Sequence, residues 1–354
     1  MDIAKRNILV APLNWGLGHA SRCIPIIREL EKHNFNPIIA SDGPALSLLK
    51  KEFPHVLHLE LPSYQIEYSV KEANFKWKFL KNSPKIISAI VSEKKLIKRW
   101  CIEYNLKGII SDNRLGVFNN KIPSVIITHQ LKVLSGNTTF FSTKIHQFFI
   151  KNFAECWVPD FKSNVNFSGN LGHLRNSNLN IHYIGTLSRL EKQEIPIKYD
   201  LMVLLSGPEP QRTILEDKLF IELKKFHKRV IFIRGIVDEK QETEQKNNIT
   251  VVNFMTSREL ETAMNQSEKI LCRSGYTSIM DLIQLGKKAF FIPTPGQFEQ
   301  EYLAKKMKRG GILPYSKQCD FKIEKIIELD FYSGFPSVSE PTKWKILFDL
   351  FESE

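Results

Sequence analysis

The chain has 354 residues, of which 42% are hydrophobic and 25% charged, which fits two globular domains and excludes a disordered chain. It has no signal-like apolar N-terminus, no run of about 18 apolar residues and no C-x-x-C pair among its five cysteines, so we expect a cytoplasmic protein without disulfides, metal or cofactor. The net charge of +12 suggests nucleic acid, an anionic membrane surface or phosphorylated substrates as partners.

The first half of the chain alternates strands and helices. Its strands are short and nearly continuous in Ile and Val, as a parallel sheet buried on both faces requires. The predicted elements are strand 8–11, helix 19–32, strand 37–40, a helix ending at 51, strand 56–61, helix 84–100, and strands 108–110 and 124–128.

Segment 63–100 carries nine basic and three acidic residues, half of the whole charge surplus. Aromatic residues lie between the lysines, namely Phe75, Trp77, Phe79 and Trp100. This mixture suggests an interfacial patch that binds an anionic membrane, and the alternative is a solvated helix with its aromatic residues in the core. The basic residues match no nucleic-acid motif, so we expect no specific nucleic acid.

The second half repeats the alternation. Thr256 and Glu259 form a capping box that opens one of its helices. The predicted elements are strand 201–205, a helix to about 226, strands 230–233 and 250–253, the capped helix, strand 269–272, helix 277–285, strand 289–292 and helix 299–308.

This order predicts an α/β protein of two Rossmann-like, doubly wound domains that face each other across a cleft. The predicted domains are residues 1–185 and 200–335, with a polar linker at 186–199. Residues 336–354 contain a last helix that we expect to pack back on the first domain.

The first loop carries Gly16, Gly18 and His19 at the start of a helix. Glycines let the backbone approach a ligand, a helix N-terminus favours negative charge, and a histidine can act as a base near neutral pH. One alternative is a tight turn capped by the histidine. Another is a dinucleotide fingerprint with Asp42 as its acid, which fits only in part because Ser21 stands at the third position.

Asp112 and His129 follow neighbouring strands of the first half, where the residues of a cleft are expected. Each is a candidate for the site or a satisfied polar group. In the second half, Ser206 and Gly207 begin a proline-stiffened loop, and Arg212 stands at the next helix start, an arrangement that suits a diphosphate.

Arg273, Ser274 and Gly275 open another helix, whose N–H groups could hold a phosphate. Asp281 lies two turns further on and could bond ribose hydroxyls, although an N-cap followed by a surface acid is the plainer interpretation. The polar loop 293–300 could read sugar hydroxyls.

Together, the Gly16–His19 loop, the stretch from Arg273 to Asp281 and the loop and helix at 293–304 resemble the family 28 glycosyltransferases of GT-B fold. This group includes the peptidoglycan N-acetylglucosaminyltransferase and the plant-type galactolipid synthases, and the likeness runs through both domains. Segment 206–212 replaces the family's Gly-Gly-Ser phosphate loop, and the first loop has fewer glycines, which indicates a divergent branch.

The resemblance implies that the first domain binds the acceptor, with Gly16, Gly18 and His129 around it, and that the second binds a nucleotide-sugar. Asp281 stands where the family commonly has a glutamate that binds the ribose. The implied donor-binding residues are Ser206, Gly207, Arg212, Arg273, Ser274, Gly275, Asp281, Gln297, Glu299 and Gln300.

The implied reaction is a metal-independent direct displacement that moves a hexose from a UDP-sugar to a hydroxyl acceptor. The catalytic base would be His19, or Asp112 across the cleft, while Arg212, Arg273 and the helix N-terminus near Ser274 stabilise the leaving UDP. A lipid or lipid-linked acceptor would explain segment 63–100 and would place the protein at the cytoplasmic face of a membrane.

Two alternatives remain open. A nucleotide-sugar hydrolase of the same fold shares the G-x-G-H loop followed by Arg22 and Cys23, with water in place of the acceptor. The other alternative is a basic nucleic-acid-binding protein, prompted by the charge alone.

Overall fold

The computed structural model describes residues 5–64, 75–163, 165–207, 209–337 and 341–352, with backbone only at 75–84. Within these residues the chain divides into two compact units. The first comprises 5–64, 79–187 and 341–352, and the second comprises 188–337 together with 75–78.

The first unit is built on a parallel sheet of seven strands in the order β3-β2-β1-β4-β5-β6-β7. Its elements are β1 Asn7–Pro12, α1 Leu17–Lys32, β2 Asn36–Ser41, α2 Gly43–Glu52, β3 Leu57–Glu60, α3 Phe75–Glu103, β4 Leu106–Asp112, β5 Ser124–Ile127, α4 Thr139–Ile150, β6 Glu155–Val158, β7 Ile181–Tyr183 and, from the end of the chain, α9 Trp344–Phe348. The strand order reverses between β1 and β4, and such a switch point opens a crevice at the carboxyl ends of the strands.

The second unit has six strands in the order β10-β11-β9-β8-β12-β13, parallel except for the β10–β11 pair. Its elements are β8 Tyr199–Leu204, α5 Gln211–Leu223, β9 Val230–Ile233, β10 Thr243–Lys246, β11 Ile249–Val252, α6 Ser257–Asn265, β12 Ser267–Cys272, α7 Tyr276–Leu285, β13 Ala289–Phe291 and α8 Phe298–Arg309. Here the order reverses between β8 and β12. Both halves of the α/β prediction are therefore confirmed.

The central strands are buried on both faces, as their apolar sequences predicted. Ile8, Leu9 and Val10 of β1 are wholly buried, because a strand in the middle of a parallel sheet is covered on both faces. The capping box between Thr256 and Glu259 is present at the start of α6, with both reciprocal hydrogen bonds formed.

The structure differs from the sequence prediction in several elements. Helix α3 begins at Phe75 and continues through Pro84 instead of starting there; the fixed φ of proline is compatible with a helix, and the loss is confined to one hydrogen bond and local crowding. The elements α4, β6, β7 and β10 were not predicted. Strands β6, β7 and β10 have at most four residues, too few to establish a period of two.

The C-terminal segment packs within the first unit. The α9 helix is only five residues long and runs into a 3₁₀ turn. The ring of Phe348 lies edge-on to Phe35, at 5.7 Å between centroids. The ring of Phe351 lies so close to Gly108 that a Cβ there would come within 2.3 Å of it, so this position accepts only glycine.

The proposed interfacial segment 63–100 needs one correction. Trp100 is only 5% exposed and belongs to a core cluster with Leu9 and Ile109, so it is no part of a surface patch. The side chains of Phe75, Trp77 and Phe79 lie outside the described residues. Among the described residues, no helix has the length and apolar character to cross a membrane.

Candidate active site

The switch point of the first unit gathers three predicted residues. β1 leads into the glycine loop, β4 ends at Asp112, and His129 follows β5, so adjacent parallel strands deliver them to one edge of the sheet. Gly16 caps α1 with φ of +81°, a left-handed backbone that favours glycine. The turn at Gly16 brings His19 into the first turn of α1.

His19 and Asp112 are in direct contact. The His19 Nδ1 lies 2.8 Å from the Asp112 Oδ1, and the two side chains are 13% and 0% exposed. The expectation that Asp112 acts from across a cleft is therefore wrong: it lies behind the histidine in the same unit.

Arg22, one turn along α1 from His19, completes the cluster. Its Nε and Nη2 both donate to the carboxylate of Asp112, and its Nη2 lies 2.9 Å from the His19 Nδ1. Burial alone would raise the pKa of Asp112, but the charges of Arg22 and His19 and their hydrogen bonds hold it well below its ordinary value. Asp112 is therefore ionised at neutral pH.

Burial lowers the pKa of His19, and the nearby Arg22 charge adds to this, although Asp112 acts in the opposite direction. His19 is therefore neutral at pH 7. The Asp112 carboxylate can only accept, so Nδ1 of His19 carries the proton and Nε2 is the acceptor nitrogen. The Arg22 Nη2 beside Nδ1 then donates to the Asp112 Oδ1 and not to the histidine. The sequence identified His19 and Asp112 but missed Arg22 as a site residue, and its signal was a position one turn after His19 on the same helix face.

His129 is buried, and its Nδ1 accepts from the Nη1 of Arg22 at 2.9 Å. Because arginine can only donate, the proton of His129 resides on Nε2. Asp42, the acid of the dinucleotide alternative, instead forms an ion pair with the buried Arg114. This pairing removes the support for that alternative.

In the second unit, three adjacent strands end in the predicted loops. β8 leads to Ser206 and Gly207, β12 leads to Ser274 and Gly275, and β13 leads to the loop 293–297. Gly207 has φ of +102°, and a Cβ placed on it would lie 3.8 Å from the hydroxyl of Thr294. The first and third loops are therefore neighbours.

Arg273 has a different position from the one predicted. It is 0% exposed, and its guanidinium donates to the carbonyls of Gln211, Ile292 and Pro293 and to the side-chain oxygen of Gln318. Direct contact with a phosphate is excluded in this arrangement. Arg273 instead ties together the loops that follow β8, β12 and β13.

No carboxylate among the described residues pairs with Arg273, and burial lowers its pKa to about 9.

Arg212, by contrast, is paired with carboxylates. Its guanidinium is held by Glu209 and Glu216, with 2.5 Å from Nη1 to the Glu216 Oε2. Two carboxylates already neutralise the Arg212 guanidinium, which argues against the predicted contact with a diphosphate.

Asp281 lies buried on α7. The hydroxyl of Ser188 donates to its Oδ1 at 2.6 Å. Burial raises the pKa of Asp281 to about 6, against the opposing effects of the Arg189 charge and the Ser188 hydrogen bond. A carboxylate that lacks full compensation is a suitable acceptor for hydroxyl groups of a ligand.

Gln300 connects α8 to the loops. Its Oε1 accepts from the backbone N–H of Thr294 at 2.8 Å, its Nε2 donates to the Oε1 of Gln297 at 2.5 Å, and its carbonyl accepts from the hydroxyl of Ser274. The Ser274 hydroxyl is therefore bound to the backbone of α8. Glu299 lies in the first turn of α8.

Thr294 is a residue that the sequence did not single out. It is buried, and its Oγ1 has no hydrogen-bond partner among the described residues. A buried hydroxyl without a partner is costly, so this atom, beside Gly207, indicates a polar ligand group. Over the same described part of the chain, no cluster of His, Cys, Asp and Glu side chains could hold a metal ion.

The two units together define a GT-B fold, and comparison with solved structures supports this. The chain is similar to the glycosyltransferase of kitacinnamycin, with a TM-score of 0.62 and 14% identity over 98% of this chain and 94% of that one. MurG of Acinetobacter baumannii gives 0.57 and 14% over 98% and 99%. Phytolacca americana UGT2, complexed with UDP-2fluoro-glucose and pterostilbene, gives 0.65 and 12% over 99% and 100%.

Residues 210–329 match the glycosyltransferase family 28 C-terminal domain, whereas no curated protein matches the sequence. The second unit therefore carries the C-terminal domain of that family, the whole chain is similar to GT-B glycosyltransferases, and the resemblance that the motifs predicted is confirmed.

Proposed function

We propose that this glycosyltransferase moves a hexose from a UDP-sugar to a hydroxyl acceptor by direct displacement, with His19 as the base. The observation that carries the proposal is the contact of 2.8 Å between His19 and Asp112 at the switch point of the first sheet. The acceptor hydroxyl would give its proton to the His19 Nε2 while its oxygen attacks the anomeric carbon. The bond from that carbon to the diphosphate breaks, and UDP leaves with the electron pair.

Asp112 and Arg22 act behind His19. Asp112 is wholly buried, so in this proposal it orients the ring and stabilises the imidazolium but touches no substrate. Arg22 balances the charge of Asp112 and keeps the basicity of His19 moderate. A general base such as His19 is most effective when its pKa lies near the working pH.

The donor is proposed to bind at the strand ends of the second unit. The Gly207 and Gly275 loops let the backbone approach the diphosphate, and the N-terminus of α7 favours its negative charge. The buried, unneutralised cation of Arg273 adds a positive field without contact. Asp281 would accept from the ribose, and Thr294, Gln297, Glu299 and Gln300 would face the diphosphate or the sugar.

A lipid or lipid-linked acceptor, and with it a place at the cytoplasmic face of a membrane, remains part of the proposal. The excess of basic residues in segment 63–100 supports a lipid-linked acceptor. Trp100 does not support it, because its side chain is buried. Gly16, Gly18 and His129 lie around His19 and are proposed to line the acceptor side. Metal independence rests on the missing D-x-D motif and stays a prediction.

The test is a thermal-shift panel of UDP-, GDP- and TDP-sugars, in which selective binding raises the melting temperature. We expect one UDP-sugar to stand out for the wild type and for His19→Ala, and Thr294→Val to reduce the shift. Equal shifts with all nucleotides, or none, would contradict the donor site.

Two further measurements on the same protein separate the transferase from the hydrolase and from a nucleic-acid-binding protein. UDP and free sugar released rapidly without any acceptor would favour the hydrolase, to which the Arg22-Cys23 pair after the first loop points. Weak binding to duplexes of any sequence, abolished by added salt, would reflect only the net charge of +12.

A further inference from the structure

Helix α4 exposes four large apolar side chains that the transferase site does not use. Phe140, Phe141, Ile145 and Phe148 are 66%, 68%, 60% and 67% exposed. Phe141, Ile145 and Phe148 are four and three residues apart, which places them on one side of the helix, and Phe140 lies at the edge of that side. With Lys144, which lies among them, they form what we call the α4 face.

The α4 face is not the side that holds the helix to the protein. Ile150 is buried, and Phe149 packs against a core cluster that contains Leu13 and Ile90. The helix is therefore anchored by other residues, and the α4 face is left over after the core has formed.

The stretch of sequence that contains the α4 face carries charges of one sign. From residue 113 to residue 154 the sequence contains no Asp or Glu, while it contains one Arg and four Lys. Lys144 and Lys151 are exposed, and the Nζ of Lys144 lies 5.8 Å from the ring centre of Phe140. Aromatic rings interleaved with lysines suit the boundary between lipid headgroups and acyl chains.

The neighbouring helix extends this character. Ile86 of α3 packs on the same core cluster as Phe149, so α3 and α4 are neighbours. On α3, Ile87 and Val91 are exposed, as are Lys94 and Lys95.

We propose that the α4 face is a membrane-binding surface that inserts its phenylalanines into a bilayer containing anionic lipid. The absence of carboxylates over 42 consecutive residues (113–154) favours an anionic lipid surface over a protein partner, whose interface would tolerate both signs. The α4 face itself lies outside segment 63–100, although the neighbouring part of α3 belongs to that segment, and the face was not predicted from the sequence.

Helix α4 borders the catalytic cluster on a side other than the α4 face. Burial lowers the pKa of His146 on that side, and the nearby His129 adds to this, while His129 in turn binds Arg22. A bilayer held at the α4 face would bring lipid-anchored hydroxyls to the unit that carries His19. That last step rests on the proposed function, whereas the membrane binding does not.

The experiment is flotation of the full chain with phosphatidylcholine vesicles, with and without phosphatidylglycerol, at low and moderate salt. We expect the wild type to float with the anionic vesicles, with affinity falling at least about tenfold without the anionic lipid or at moderate salt. The variant Phe140→Ser/Phe141→Ser/Phe148→Ser should lose this binding. The matched control is Phe331→Ser, because Phe331 is 83% exposed in the second unit.

The triple variant should keep the wild-type melting temperature and thermal shift with a UDP-sugar, since its substituted rings are exposed. Equal flotation of the triple variant and the wild type, or no flotation at low salt, would overturn the proposal. A dimer of the wild type that the triple variant abolishes, without vesicle binding, would make the face a contact between copies and would also overturn it. None of these results bears on the transferase assignment.

Discussion

Arg22 of the first unit and Arg273 of the second are both buried, but their surroundings differ in charge. Arg22 donates to the carboxylate of Asp112, and this neutral pair lies against His19. Within the part of the chain that the structure describes, Arg273 donates only to neutral carbonyl and amide oxygens. The first arrangement fixes a titratable ring without adding net charge, while the second keeps a positive charge behind three loops. We conclude that the first unit is suited to moving a proton and the second to holding an anion.

The largest effect should come from removing the proton acceptor. His19→Gln is expected to lower turnover by about 10²–10⁴-fold, the usual contribution of a general base, with donor affinity unchanged. UDP release measured beside a thermal-shift titration with the UDP-sugar separates the two quantities. Loss of donor binding with normal turnover of bound donor would reverse the roles given to the two units.

The ion pair of the first unit comes next. Arg22→Met leaves Asp112 as a buried charge, and we expect the free energy of unfolding to fall by about 3–5 kcal/mol. The double variant Arg22→Met/Asp112→Asn should recover much of this loss. Urea unfolding of both variants at pH 7 measures it, and an unchanged midpoint for the single variant would show that the pair is not isolated from water.

The acid of the second unit should respond to pH with the opposite sign from Asp112. Because burial raises the pKa of Asp281 to about 6, this group makes stability fall as pH rises from about 4 to about 6. Asp112, with its lowered pKa, contributes stability that is present above about pH 4 and lost below it. Asp281→Asn should therefore raise the free energy of unfolding at pH 7 by about 1–3 kcal/mol.

The same variant tests the donor site. If the Asp281 carboxylate accepts from the ribose, the wild type should bind a UDP-sugar more tightly at pH 7 than at pH 5, and Asp281→Asn should bind weakly at both. Calorimetric titration at the two pH values decides this. A variant that binds as tightly as the wild type would remove Asp281 from the site.

The smallest effect concerns the unpartnered hydroxyl. Thr294→Val keeps the shape of the side chain and deletes Oγ1, so stability should stay level or rise slightly, while UDP-sugar affinity should fall by about 1 kcal/mol. Thr256→Ala is the control from the same unit: it should cost about 1 kcal/mol of stability through the lost cap and leave affinity intact. The reverse pattern would make Thr294 structural.

Patterns local in the chain predicted most of the architecture. Short buried apolar runs marked β1, β8 and β12, and the loops after them were found in place. Helix α4 was missed because its apolar residues lie on both its buried and its exposed sides, which blurs the helical period. The very short strands gave too few residues for any period to emerge.

The sequence by itself determined which residues stand at the ends of adjacent strands, because alternation of strand and helix fixes the edge to which each loop is delivered. It placed His19, Asp112, Ser274 and Asp281 in the right loops and helices. Only the tertiary structure decided what each charge does: Arg273 became a buried group that holds three loops together, and Arg212 became a buried group neutralised by Glu209 and Glu216. The partners of Arg212 lie three and four residues away in the sequence, whereas the burial of both arginines and the partners of Arg273 depend on residues far away in the chain.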